Sequence, residues 1–349
     1  MPLVPLPELT ELMARALAAA GTAPDTAAGV ARALARAEAD GIASHGAARL
    51  PVYAEQVRTG KVDGQARPVL AQGRTAALRV DAGGGFAFPA ISIGLEAAVA
   101  RAGETGVAAL AIARSHHFGV AGHPVEDAAA HGLMALAFSN TPQAIAPWGG
   151  HRGLFGTNPI AFAAPRAGAP PLVIDLSVSQ VARGKVVLAA RRGEAIPLGW
   201  ALDAEGRPTT DANAGLAGTM APLGGPKGAA LALMVELLCG ALTGSNFGYE
   251  GTSFFEPEGA PPLVGHLILL FDPAAFHGGR DSAARTEEMI AAILAQPGAR
   301  LPGDRRLAAR RRAATEGVDI PAPLLADIRS RAEAGNQAAI QARSSGPPP

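Results

Sequence analysis

The chain has 349 residues, with 30 basic against 30 acidic side chains, so it is long enough for a large core and two subdomains. The charge balance argues against a chain-wide electrostatic grip on nucleic acid or an anionic membrane. A single cysteine, Cys239, excludes an internal disulfide and fits a reducing compartment.

The first sixty residues read as helices. "PELTELMARALAAAG" sets Leu9, Leu12, Met13, Ala16 and Leu17 on one face and stops at Gly21. A second helix is predicted from Pro24 to Asp40 and a third from Ala47 to Thr59, with "GIASHGAARL" between them. The period then changes: "AALRVDA" reads as a strand, "PAISIGLEAAVARAGETG" as a helix and "VAALAIA" as a short buried strand. A helix over "VEDAAAHG", the strand "LMALAFS" and a long Pro/Gly-rich loop to "FGTNPIAFAAP" follow. "LVIDLS" and "GHLILLF" are further strands, and "KGAALALMVELLCGAL", apolar nearly all round, reads as a central helix with Cys239 as a core thiol. "RTEEMIAAILAQ" and "PLLADIRSRAEAG" return to helix, and the tail "SSGPPP" reads as disordered. No window reads as a secretory signal or as a membrane span, and the expected compartment is the cytoplasm. This succession implies an α/β core flanked by a helical part.

Three clusters could carry chemistry. In "SHHFGVAGH", His116 and His117 follow a strand and His123 lies further on. A metal reading would take His117, His123 and Glu126, but the H-E-x-x-H spacing is absent and no cysteine is near. Buried packing, or an imidazole that moves a proton or touches a cofactor, are the other readings. In "GIASHGAARL", His45 and Arg49 are four residues apart, so one helix face could present a proton donor beside a carboxylate-binding guanidinium. Equally, Ser44 could cap the helix and Arg49 stand in solvent. In "PLGGPKG", a glycine turn and Lys227 at a helix start suit a phosphate or serve as a plain helix entry. The nearest approach to G-x-G-x-x-G is "VDAGGGFAFPA", where Phe88 holds the third glycine position, so a Rossmann fingerprint is missing.

Taken together, "SHGAARLPVYAEQVRTGKV", "SHHFGVAGH", "APWGGHRGLFGTNPIAFAAP", "IDLSVSQVARGK", "IPLGWALDAEGRPTTD", "GGPKG" and "RLPGDRR" resemble the malate/L-lactate dehydrogenase-type family. This is a non-Rossmann group that includes ureidoglycolate dehydrogenase and delta-1-piperideine-2-carboxylate reductase. The resemblance implies hydride transfer between NAD(P)H and C2 of a small carboxylate, with NADP favoured and no metal. It further implies a homodimer with shared sites and a cofactor domain on a mainly antiparallel mixed sheet, where periodicity alone suggests a parallel one.

By the same resemblance Ser44 and His45 form a proton-relay pair, His117 is a second candidate acid/base, and Arg49, Tyr53 and Thr157 meet the substrate. The cofactor would meet His117, Phe118, Gly119, Val120, Ala121, Thr141, Asp175, Leu176, Ser177, Lys185, Lys227 and Gly228, with Gly279, Arg280 and Arg285 toward a 2′-phosphate. Residues 1–75 and 286–340 would then form one helical substrate and dimerisation part. Residues 76–285 would form the cofactor sheet and 341–349 a disordered tail.

Two substrate branches remain open, a 2-oxo or cyclic 2-imino acid and a malate-, lactate- or ureidoglycolate-type hydroxy acid. The ketimine reductases carry a catalytic aspartate where this chain has Lys185. A non-catalytic ligand-binding protein on the same scaffold is the reading of another class.

Overall fold

The computed structural model describes residues 2–279 and 281–344, with side chains through residue 334 apart from that of residue 72. Strand β1 (Leu3–Val4) leads into α1 (Leu6–Ala19), α2 (Pro24–Ala39) and α3 (Leu50–Arg58). Pro24 and Pro51 sit in the first turns of α2 and α3, where their missing N–H groups are not needed. The third helix was expected from Ala47. Instead, residues 43–49 form two short 3-10 turns, because Gly46 breaks the run with an extended ψ of −139°.

Strands β2 (Val69–Gln72) and β3 (Ala77–Asp81) are followed by α4 (Ala87–Thr105), β4 (Val107–Ser115), α5 (Gly122–Ala130) and β5 (Met134–Ser139). Next come β6 (Ile160–Ala164), β7 (Leu172–Leu176) and α6 (Arg183–Arg192). The small strands β8 (Ala201–Leu202), β9 (Pro208–Thr209) and β10 (Thr219–Met220), with α7 (Ala212–Ala217), close a compact unit around Val178, Val186, Ile196 and Met220. Helix α8 (Pro226–Glu236), β11 (Val264–Phe271), α9 (Ser282–Leu294), α10 (Asp304–Glu316), β12 (Val318–Asp319) and α11 (Ala322–Ser344) complete the chain. Residues 341–344, expected in a disordered tail, continue α11, and 345–349 lie outside the described residues.

The large sheet runs β2-β3-β4-β11-β5-β6-β7 and is antiparallel throughout except at β3–β4. That pair is parallel because α4 supplies the crossover a parallel pair requires. Helices α4 and α5 bury Ala90, Leu95, Ala98, Val125 and Ala128 on one face of the sheet. Val235 of α8 and Cys239 bury Phe138 and Leu267 on the other, so the thiol is a core group as expected. The predicted apolar face of α1 packs against Leu325, Ile328 and Ala332 of α11, and β1 pairs with β12, so both chain ends share one core.

One expectation fails. The apolar helix α8 is not central: Leu231, Leu233 and Met234 stay exposed, as do Leu237 and Leu242 in the π-helical turn that follows. A single sheet face buries only one side of a helix, and no other element among the described residues covers the opposite side.

Alternation of direction brings the ends of β4, β5 and β7 and the starts of β11 and β6 to one edge of the sheet. His117, Thr141, Thr157 and Ser177 all lie just past that edge.

Candidate active site

The turn carrying Ser44 and His45 is built by Glu38, a buried carboxylate of α2 that accepts the Ala47 amide at 2.7 Å. A Cβ on Gly46 would fall 2.3 Å from Glu38 Oε1, so the glycine lets the turn close on that carboxylate. Ser44 Oγ lies 3.0 Å from His45 Nδ1, which leaves Nε2 as the working nitrogen. Arg49 Nε donates to Ser44 O at 2.7 Å, its side chain is buried, and its Nη1 has no partner among the described residues. A buried guanidinium with a free edge is costly until an anion meets it. Burial lowers the Arg49 pKa.

The sheet supplies the opposite wall. His117 stacks on His45 with ring centroids 5.2 Å apart, and its Nδ1 is 2.6 Å from the Tyr53 hydroxyl. Burial raises the Tyr53 pKa to about 12, so we assign the phenol as donor, which puts the His117 proton on Nε2. Burial, with the Arg49 charge added, lowers His45 to about 3 and holds His117 well below its ordinary range. Both imidazoles are therefore neutral at pH 7. His45 nonetheless keeps part of its surface open, as a group in a crevice does.

His116 is a neighbour rather than a participant. Its ring is wholly enclosed, edge-on to Tyr53, Phe86 and Phe254, and its carbonyl accepts from His266 Nε2 at 3.1 Å. The metal reading dissolves into ion pairs. His123 Nε2 sits 3.0 Å from Asp40, while Glu126 is gripped by Arg36, Arg306 and Arg310 at 2.8 Å each. No group of three potential metal ligands occurs among the described residues.

The expected cofactor loop leaves backbone donors unused. Phe118, Gly119, Val120 and Ala121 are buried, yet their backbone amides donate to no acceptor among the described residues, and Gly119 holds φ +79°. Orphaned buried amides at a helix start fit a pyrophosphate. Asp175 closes the loop by accepting the Gly122 amide at 2.7 Å, and burial raises its pKa. Beside it, Leu176 is exposed and Ser177 Oγ lies 3.0 Å from Ser179 Oγ. The Lys227 turn adjoins this segment through Leu223 N to Val178 O at 2.8 Å. Gly228 has a packing duty of its own, since a Cβ there would stand 2.2 Å from Leu223 O.

Thr157 donates its amide to Thr141 Oγ1 at 3.0 Å. Glu236, which sequence reasoning missed, fixes this pair: its buried carboxylate accepts from Gly156, Asn158, Asn140 and Gly248 at 2.9–3.1 Å. The acid in the apolar run "LALMVELLCGAL" was the available signal.

The remaining candidates lie in or beside α6 and α9. Lys185 is exposed, 5.9 Å from the Trp200 ring, on the small β8–β10 unit. Gly279 and Arg285 lie past Phe271, at the far end of β11, where Arg285 pairs with Glu288, and Arg280 is outside the described residues. Arg306, in "RLPGDRR", is near Asp175 instead and offsets part of the rise in its pKa.

A non-Rossmann mixed sheet whose edge faces a helical turn with a serine–histidine pair and a buried guanidinium is the arrangement of a dehydrogenase-type active site. The chain belongs to the malate/L-lactate dehydrogenase family, whose profile matches residues 4–329. It is 58% identical over 298 residues to the (2R)-3-sulfolactate dehydrogenase (NADP(+)) of Chromohalobacter salexigens, covering 85% of this chain and 88% of that protein. It is 43% identical to the delta(1)-pyrroline-2-carboxylate reductase of Ancylobacter novellus, covering 95% and 98%. The crystal structure of delta1-piperideine-2-carboxylate reductase from Pseudomonas syringae pv. tomato superposes with a TM-score of 0.90 at 40% identity, covering 95% and 100%.

Proposed function

We propose that this oxidoreductase interconverts a small 2-oxo acid and its 2-hydroxy acid with NADP(H), NAD(H) being the second cofactor tested. One observation carries the reading: the free edge of the buried Arg49 guanidinium lies in the same turn as the Ser44–His45 pair. Arg49 binds the substrate carboxylate and so fixes C2 beside His45. The loop 117–121 would hold the cofactor's phosphates, and a bound nicotinamide would supply or accept the hydride. His45 Nε2 donates its proton to the C2 oxygen as negative charge gathers there, while Ser44, exposed at the crevice mouth, passes its hydroxyl proton to Nδ1 and takes one from solvent in its place. Such a relay needs no imidazolium, in keeping with the low pKa of His45. Tyr53 holds the His117 ring in place against His45.

Reduction of a cyclic 2-imino acid is the second reading, favoured by the likeness to the pyrroline and piperideine carboxylate reductases. The higher identity to the sulfolactate dehydrogenase, 58%, favours the first reading. The deciding experiment follows absorbance at 340 nm with pyruvate, sulfopyruvate, oxaloacetate and piperideine-2-carboxylate, using NADPH and NADH in turn. Turnover of the oxo acids above the imine supports the first reading, and the reverse order the second. Tight NADPH binding without turnover would return the chain to a ligand-binding role.

The reading extends to a homodimer in the cytoplasm. The exposed Leu231, Leu233, Met234, Leu237 and Leu242 form an apolar strip that a second copy would cover. The one cysteine is buried and unpaired, which suits a reducing compartment. Light scattering should give twice the chain mass, and Leu237→Lys should halve it.

A further inference from the structure

The loop 252–259 is fastened to the end of α3 by side chains that no catalytic role requires. Lys61 is fully buried, and its ammonium donates to three backbone carbonyls of the loop, Ser253 at 2.7 Å, Glu256 at 2.9 Å and Glu258 at 2.9 Å. Gln56 Nε2 adds a bond to Glu256 O at 2.9 Å and Thr59 Oγ1 one to Pro257 O at 2.7 Å. A buried ammonium whose three protons all meet carbonyls is a rigid clamp, because any shift of the loop would strand a desolvated charge.

The clamp delivers two aromatic rings to the crevice. Phe254 is buried edge-on to His116 and His117, with centroids 5.2 and 5.0 Å away. Phe255 is half exposed and lies over Arg49, its ring centroid 4.5 Å from the guanidinium carbon. With Nε bound to Ser44 O and one face under Phe255, the guanidinium can offer an anion only its Nη edge. A carboxylate held there points the rest of its molecule past the phenyl ring.

We propose that Phe255 is the specificity-determining residue of the crevice: its clamped ring walls the space beside the carboxylate and sets how large a group may hang from C3 of the substrate. Lys61 is the positioning residue that holds the wall. This rests on the reading that Arg49 takes the substrate carboxylate.

The test compares wild type with Phe255→Ala and Phe255→Leu on pyruvate, 2-oxobutyrate, 2-oxohexanoate and phenylpyruvate. Acids that turn over are compared as kcat/KM, and the others as inhibition constants against whichever acid is reduced. The phenylpyruvate-to-pyruvate ratio should rise about tenfold or more in Phe255→Ala and less in Phe255→Leu. Lys61→Met should move the ratio the same way while lowering Tm. A uniform change across the series in all three variants, leaving the ratio as in wild type, would overturn the proposal. Arg49→Lys separates the two levels. If it leaves every KM unchanged, the carboxylate assignment itself fails; if it raises them while the Phe255 ratio stays fixed, only the specificity proposal fails.

Discussion

Glu126→Gln tests the ion cluster beneath the cofactor segment. Glu126 is buried and accepts from Arg306 at 2.8 and 3.0 Å, from Arg310 at 2.8 and 3.1 Å and from Arg36 at 2.8 Å. Burial alone would raise its pKa, but the arginines bring it from 4.5 to about 2. A depression of that size corresponds to about 3 kcal/mol of stability at neutral pH. Breaking a buried pair typically costs about 3–5 kcal/mol, so the two routes agree. The sign follows from the direction. A carboxylate with a depressed native pKa stabilises fully above its unfolded value and loses that contribution as the pH falls through the native one. Urea unfolding at pH 7 should therefore place the variant about 3 kcal/mol below wild type, and the gap should shrink below pH 4.5 and nearly close by pH 2. A Tm lower by roughly 4 °C at pH 7 should accompany it. An unchanged midpoint at pH 7, or a gap that stays constant down to pH 3, would refute the electrostatic account.

His45→Ala should lower kcat by about 10²–10⁴ with little change in KM. Because burial and Arg49 hold His45 near 3, wild-type kcat/KM should show no titration between pH 5 and 8; an acid limb near 6.5 that vanishes in the variant would contradict this. Arg49→Ala should raise KM and lower kcat together, by about a hundredfold in kcat/KM, while NADPH affinity measured by fluorescence stays constant. Gly46→Ala should push Glu38 off the Ala47 amide and cut kcat about tenfold, whereas Gly103→Ala, with nothing within 4 Å of the added Cβ, should leave activity unchanged.

The local pattern made much of the chain readable. The period-3.6 face of α1 and the short apolar runs at β4 and β5 sit where the periodicity put them, because each element's own burial dictates its pattern. Strand order was not readable that way. β11 lies between β4 and β5 although about 125 residues separate it from the latter, and nothing in "GHLILLF" names its neighbours. The mainly antiparallel sheet came from the family resemblance. In the site, "ASHGAAR" displayed its own turn chemistry, whereas Phe255, Lys61 and Glu236 act through contacts with segments about 80–200 residues away.

The shared core of α1 and α11 bears on how the molecule is made. During synthesis the turn bearing His45 and Arg49 leaves the ribosome well before the strand that fills the middle of the sheet and the helix that braces its own layer. The turn's supporting layer therefore stays incomplete until α11 has followed it out, so its lasting order comes from contacts made late in synthesis.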